Sequence, residues 1–84
     1  MLYIITYNLN RPGQNYTHLI DTIRRYNCIH IGGSTWLVKS DLTAIQILNS
    51  LVPLVDQSDD LLVCEFSDWA SYNLPMEFTN WMKL

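Results

Sequence analysis

Few residues in this 84-residue sequence are of a type and spacing that could do chemistry. There is no glycine-rich phosphate loop, no histidine pair at metal-ligand spacing and no nucleophile motif. An amide side chain, Asn8, ends the first apolar run, and three carboxylates cluster at Asp56, Asp59 and Asp60. The cluster resembles part of a cation-binding loop but lacks the glycine and the terminal glutamate of such loops. We interpret it as a solvated turn.

The histidines and the basic side chains give weaker signals. His18 falls in a helical pattern and His30 in a strand pattern, and we interpret both as surface or half-buried side chains. Arg24 and Arg25 are adjacent in the helical pattern and, with Arg11, are the candidates for contact with phosphate. Because phosphate binding needs clustered Lys and Arg, the formal net charge of −3 predicts nucleic-acid binding that is weak or absent.

The composition favours an association surface. Apolar residues make up 49 % of the chain and charged residues 15 %, so a domain this small must leave large apolar side chains near its surface. A chain of this length also buries too little surface to be very stable alone, and we expect a homodimer. Residues 1–55 hold four basic and two acidic side chains, net +2, whereas residues 56–84 hold six acidic and one basic, net −5. One end could therefore meet a phosphate backbone that the other end repels.

The cysteines and the lengths of the apolar runs indicate where in the cell the protein is located. Cys28 and Cys64 lie in strand-like segments without a CxxC pair, so we expect free buried thiols rather than a disulfide or a zinc site. No run approaches the roughly 18 to 20 apolar residues of a membrane span, and the N-terminus has no signal-peptide pattern. We therefore expect a cytoplasmic protein that does not bind a membrane.

The elements that must position these residues follow the order β-α-β-β-α-β. Leu2 to Tyr7 predicts a strand, and a helix capped by Asn15 and ended by a left-handed Asn27 follows the turn at Pro12-Gly13. Two short strands flank Gly32-Gly33-Ser34, which predicts a hairpin.

The second half of the pattern adds a helix and a last strand. Ser40 or Asp41 is expected to cap the helix, and Pro53 to kink or end it. Its expected apolar stripe is Ile45, Leu48, Val52 and Val55, which Ala44 and Leu51 widen. Leu61 to Phe66 supplies the fourth strand.

This order predicts an α+β, ferredoxin-like fold, with a four-stranded antiparallel sheet and two helices on one of its faces. We expect one domain over residues 1–84 and the spatial strand order 4-1-3-2. Cys28 and Cys64 would then lie on opposite edge strands. Since strand one ends where strand three begins, Asn8 and Ser34 should approach each other at one rim of the sheet, with Arg11 nearby.

Residues 67–84 form an aromatic extension. Pro75 at the first helical position, with Phe78, Trp81 and Met82 at helical spacing, predicts a short terminal helix. Aromatic anchors in such a segment either close the open face of the sheet or dock a second subunit, and the pattern does not decide between these. The candidate interface residues are Trp69, Tyr72, Phe78 and Trp81.

Two segments resemble the CRISPR-associated protein 2 family. Tyr3-Ile4-Ile5-Thr6-Tyr7-Asn8-Leu9 is similar to its first strand, where an aspartate follows the tyrosine, and residues 26–36 are similar to its stretch from the first helix to the third strand. The stand-alone, CRISPR-independent bacterial and phage branch of that superfamily is more similar still. Its motifs have counterparts here, in order, in Arg11-Pro12-Gly13, Ser34-Thr35-Trp36, Ser58-Asp59-Asp60-Leu61 and Asn73-Leu74-Pro75.

The resemblance implies a homodimer and, for some members, a divalent-metal nuclease whose aspartates at the end of strand one face each other across the dimer axis. The matching residue here is Asn8, which contributes no charge, so we expect no metal at this position. The favoured hypothesis is a non-catalytic accessory module of a phage or mobile element that acts on a host protein. The alternative is an Mg²⁺-dependent nuclease of RNA or DNA with Asn8, Ser34 and Arg11 at its site. A third hypothesis is a regulatory module that binds nucleic acid weakly.

Overall fold

A computed structural model describes residues 1–10 and 16–83 and has the predicted α+β, ferredoxin-like architecture. Four strands and three helices follow the order β-α-β-β-α-β-α. Their bounds are β1 Leu2–Asn8, α1 Thr17–Arg24, β2 Asn27–Gly32, β3 Thr35–Lys39, α2 Ala44–Leu51, β4 Asp60–Phe66 and α3 Met76–Lys83. None of the helices in the described part of the chain is long and apolar enough to cross a membrane.

The four strands form one antiparallel sheet in the order β2-β3-β1-β4, which confirms the predicted order. At one end of the sheet Leu2 pairs with both Lys39 and Phe66, and toward the other end Thr6 pairs with Thr35. The two edge strands, β2 and β4, carry Cys28 and Cys64, and both thiols are free as predicted. The expectation that they are buried was wrong, because Cys28 is half-buried and Cys64 is exposed on its edge strand.

The core lies between the sheet and the first two helices. Because side chains alternate across a strand, one face of the sheet presents Tyr3 and Ile5 from β1 and Trp36 and Val38 from β3. These side chains pack against buried residues of α1 and α2 in a single cluster, which is completed by Leu19, Ile23, Ile47 and Leu51. We call the opposite side of the sheet, which α1 and α2 leave uncovered, the open face.

Helix α2 differs from the prediction in its cap and in the side that it buries. Thr43, rather than Ser40 or Asp41, is the N-cap, in a capping box with Gln46. Ile45 is 59 % exposed and Val52 also faces solvent, so these two members of the expected stripe were wrong. Leu51 is buried, and Ala44 and Val55 pack against the core, as predicted, together with Ile47, which was not in the expected stripe. The apolar side of the helix is broad, and the part of it that carries Ile47 and Leu51 packs on the sheet. Burying Ile47 or Leu51 stabilises the fold by about 1.5–3 kcal/mol each.

The remaining local predictions have mixed outcomes. Pro53 lies in a 3₁₀ turn, Val52–Leu54, directly after α2, as its lack of an amide proton predicts. The hairpin turn is confirmed, with positive φ at Gly32 and Gly33. The left-handed Asn27 was wrong, because Asn27 begins β2 and α1 is capped at its C-terminus by a right-handed Arg25. The proposed N-cap, Asn15, lies outside the described residues.

Candidate functional site

The rim of the sheet at the end of β1 brings an amide next to a carboxylate. Asn8 is the last residue of β1, and its partner across the strand pair is Asp60, the first residue of β4. Both side chains are exposed and line a shallow cleft of about 190 Å³. Ser34 precedes β3 at the same end of the sheet, whereas Arg11 lies outside the described residues. Asp60 was predicted to lie in a turn, and its pairing with Asn8 leaves no signal in the sequence, because only the β1–β4 register reveals it.

The acidic turn before β4 is a structured loop rather than a solvated one. Asp59 is half-buried, and its carboxylate accepts hydrogen bonds from the backbone N–H of Asn10 at 2.7 Å and of Asp56 at 2.8 Å. The Tyr16 hydroxyl lies 2.7 and 2.9 Å from the two carboxylate oxygens of Asp59. Asp59 therefore joins the segment after β1 and the start of α1 to the loop before β4, and so holds the two sides of the rim together.

The rim offers oxygen ligands but few of them. One chain contributes the Asn8 amide oxygen and the Asp60 carboxylate, both of which suit a hard cation. In residues 1–10 and 16–83, no group of three or more His, Cys, Asp and Glu is placed to hold a metal ion. The described residues of a single copy therefore supply an incomplete coordination sphere at this rim.

The basic candidates lie away from the rim. Arg24 and Arg25 end α1, next to the start of β2, and Asn27 of β2 pairs with Lys39 at the opposite end of the sheet from Asn8. The guanidinium of Arg24 lies 5.9 Å from the centroid of the Trp36 ring. The structure thus does not bring Arg24 and Arg25 to the rim.

The two histidines occupy different surroundings. His18 is an exposed residue of α1. The His30 imidazole stacks on Trp36, with ring centroids 4.0 Å apart and planes at 5°, and its Nε2 lies 2.8 Å from the carbonyl oxygen of Gly33. His30 is therefore an oriented surface side chain rather than a free one.

The C-terminal segment, residues 67–83, runs from the β4 edge of the sheet to β2, and we call it the strap. Its helix α3 contacts β2. Phe78 is 4 % exposed, and its ring meets Trp69 edge to face, with centroids 5.6 Å apart and planes at 90°. Of the predicted interface residues, Phe78 is buried within the chain and Trp81 is half-buried, while Trp69 and Tyr72 are exposed.

The end of the strap is anchored to β2 and β3. Trp81 Nε1 donates a hydrogen bond to Asn27 Oδ1 at 3.0 Å. The Lys39 ammonium donates to the carbonyl oxygen of Trp81 and lies 4.4 Å from the centroid of its ring. In one chain the strap is therefore a third layer on its own sheet, the first of the two arrangements considered from the sequence.

A cleft of about 420 Å³ remains between the strap and the open face. We call it the strap cleft. Ile4, Ile31 and Leu37 form its floor on the sheet. Its other walls come from Phe66 at the end of β4 and from strap residues that include Asp68, Trp69, Tyr72, Leu74 and Phe78.

Comparison with known proteins assigns no family. No protein-family model matches this chain, and no curated protein or solved structure is significantly similar to it. The resemblance to the CRISPR-associated protein 2 family rests on the sequence motifs and stays a prediction. The function must be argued from the geometry.

The two thiols differ in their surroundings. Cys28 is half-buried beside the core, and burial raises the pKa of its thiol, an effect that the nearby Arg24 partly offsets. Cys64 is exposed on β4. Because the thiolate is the reactive form, we expect Cys28 to react more slowly than Cys64.

Proposed function

We propose that this protein is a non-catalytic, homodimeric binding module of the CRISPR-associated protein 2-like type that engages a protein partner through its open face and strap. The observation that carries the proposal is the exposed apolar surface there. Leu62 of β4 is 56 % exposed, and on the strap Tyr72 is 86 % and Met76 72 % exposed. Apolar patches that a chain leaves in water usually mark interaction sites.

The outer side of α2 is the competing surface. It exposes Leu42, Ile45 and Val52. Ile45 lies on a convex helix, and Leu42 and Val52 flank its two ends, whereas the open face and strap enclose a cleft lined by aromatic and aliphatic groups. Concave apolar sites with a few polar groups are the usual form of a binding site, which favours the strap side.

Homodimerisation is supported by the edge strand β4. Its seven residues pair with β1 on one side, and the other side of β4 is a sheet edge. An edge of this length contains no proline and can pair with another strand. The small size of the chain adds a reason, since one core of this size stabilises a monomer only marginally.

Site-specific photo-crosslinking in the native host cell tests the binding proposal. Benzoylphenylalanine is placed at Leu62 and, as a control of matched exposure, at Ile45 of α2. We expect a discrete adduct with another protein from position 62 and none from position 45. Adducts from both positions alike, or only from position 45, would place the binding surface elsewhere.

One observation favours a second candidate, a divalent-metal-dependent nuclease. Asp60 restores a carboxylate beside Asn8, and two copies meeting at this rim would contribute two carboxylates and two amides as ligands for Mg²⁺. The test is cleavage of single- and double-stranded DNA and RNA with Mg²⁺ or Mn²⁺ by the wild type and by the variants Asn8→Asp, Asn8→Ala and Asp60→Asn. Metal-dependent cleavage that Asn8→Ala and Asp60→Asn both abolish would overturn the non-catalytic proposal.

A further inference from the structure

The size and lining of the strap cleft limit what it can hold. Its volume of about 420 Å³ is enough for one or two large side chains but small for a folded element. The floor is aliphatic, with Ile4 and Leu37 on the sheet, and Phe66 and Leu74 add apolar walls. An occupant must therefore present apolar side chains from an extended segment.

The charge around the cleft has one sign. Asp68 is the charged residue that lines it, and Glu77 lines a smaller cleft of about 240 Å³ that shares Ile31 and Phe78 with it. Neither cleft is lined by a Lys or Arg from the described residues. Lys39, the basic side chain of the neighbouring β3, is bound to Trp81. An apolar site with unneutralised carboxylates at its rim favours a cationic occupant.

The aromatic side chains at the opening of the strap cleft also favour a positively charged occupant. Trp69 and Phe78 meet at 90°, and Trp69 is 44 % exposed. Tyr72, which also lines the cleft, is almost entirely exposed. The faces of such rings attract Lys and Arg side chains, and a carboxylate beside them, here Asp68, adds to that attraction.

We propose that the strap cleft binds an extended segment of a partner protein in which an aliphatic side chain enters the cleft and an adjacent Lys or Arg contacts Asp68 and the Trp69 and Tyr72 rings. This inference rests on the proposed binding function and names the chemistry of the partner. The same cleft of a second copy is the weaker occupant, because Asp68 and Glu77 of one copy would meet Asp68 and Glu77 of the other, with no Lys or Arg from the described lining to pair with them.

Three short synthetic peptides test the charge preference on the full chain. They are Ac-Lys-Leu-Ile-Leu-Lys-NH₂, the same core flanked by Glu, and a Lys-flanked peptide with a serine core. Binding is followed by backbone amide shifts in ¹⁵N-labelled protein at low salt. We expect the first peptide to bind at least tenfold more tightly than either of the others, with shifts centred on Ile4, Leu37, Trp69 and Leu74.

Two variants, one in the cleft and one outside it, test whether the cleft causes the preference for the Lys-flanked peptide. Asp68→Asn should reduce the advantage of the Lys-flanked peptide over the Glu-flanked one to less than threefold. Asp41→Asn removes an equally exposed carboxylate from the segment before α2 and should leave that advantage unchanged. Both substitutions are at the surface, and unchanged circular dichroism confirms that each variant is folded.

The possible results separate this inference from the proposed function. Equal binding of the Lys- and Glu-flanked peptides, or shifts centred outside the cleft, would overturn the inference while crosslinking from Leu62 still supports a protein partner. Failure of every peptide to bind would also overturn it, because the cleft would then not accept an extended cationic segment. Loss of the crosslink would count against the proposed function itself.

Discussion

Replacing Asp59 by asparagine should destabilise the protein far more than its position in a surface loop suggests. The carboxylate accepts from two backbone N–H groups, of Asn10 and Asp56, and from the Tyr16 hydroxyl. Hydrogen bonds to a charged acceptor contribute about 1.5–3 kcal/mol each. Because Asp59 is half-buried and water can replace part of these bonds, we expect a total loss of about 2–4 kcal/mol rather than the full sum.

That loss is large on the scale of this chain. A domain of 84 residues has a free energy of unfolding of about 4–13 kcal/mol, so Asp59→Asn would remove a substantial fraction of it. The corresponding drop in Tm is on the order of 10–20 °C. Urea unfolding followed by tryptophan fluorescence, at a fixed protein concentration, measures the loss directly.

The neighbouring Asp60 provides the matched control. It is exposed, and none of the hydrogen bonds found in the described residues involves its side chain. Asp60→Asn should therefore change the free energy of unfolding by less than about 0.5 kcal/mol. Tyr16→Phe should give an intermediate loss of about 1 kcal/mol. If Asp59→Asn and Asp60→Asn differ by less than 0.5 kcal/mol, on the order of measurement error, the loop network does not stabilise the fold and the reasoning is refuted.

Three further predictions concern the strap and the buried polar groups. Trp81→Phe removes the hydrogen bond to Asn27 and should destabilise α3 by about 1 kcal/mol, seen as faster hydrogen exchange in α3 than in α2; equal acceleration in both helices would contradict it. With a thiol reagent in native buffer, Cys64 should react at once and Cys28 slowly. Mass spectrometry of quenched samples measures the order of modification, and faster reaction of Cys28 would contradict the prediction. Burial, with a contribution from Glu65, raises the pKa of Tyr3, so the unfolded state loses that proton first and stability should fall above about pH 10. Tyr3→Phe should flatten that decline, and an unchanged pH profile in the variant would rule out Tyr3 as its cause.

The sequence alone determined the order of the elements and the topology of the sheet. Short apolar runs rich in β-branched and aromatic residues, the Gly32-Gly33 turn and the break at Pro53 are local signals, and right-handed crossovers leave few ways to arrange four such strands. The order β2-β3-β1-β4 followed from them. The aromatic tail was predicted as a helix for the same reason, since Phe78 and Trp81 repeat at helical spacing.

The tertiary structure decided what depends on contacts between distant residues. Helix α2 has a broad apolar side that includes both Ile45 and Ile47, so its sequence did not determine that Ile47 rather than Ile45 would pack on the sheet. The bonds of Asp59 to Asn10 and Tyr16 span more than forty residues and leave no local pattern. The strap cleft likewise exists only because residues 67–83 cross the open face, and the side chains that line it come from both ends of the chain. Periodicity specifies local conformation, but the packing of one element on another fixes which side chains meet.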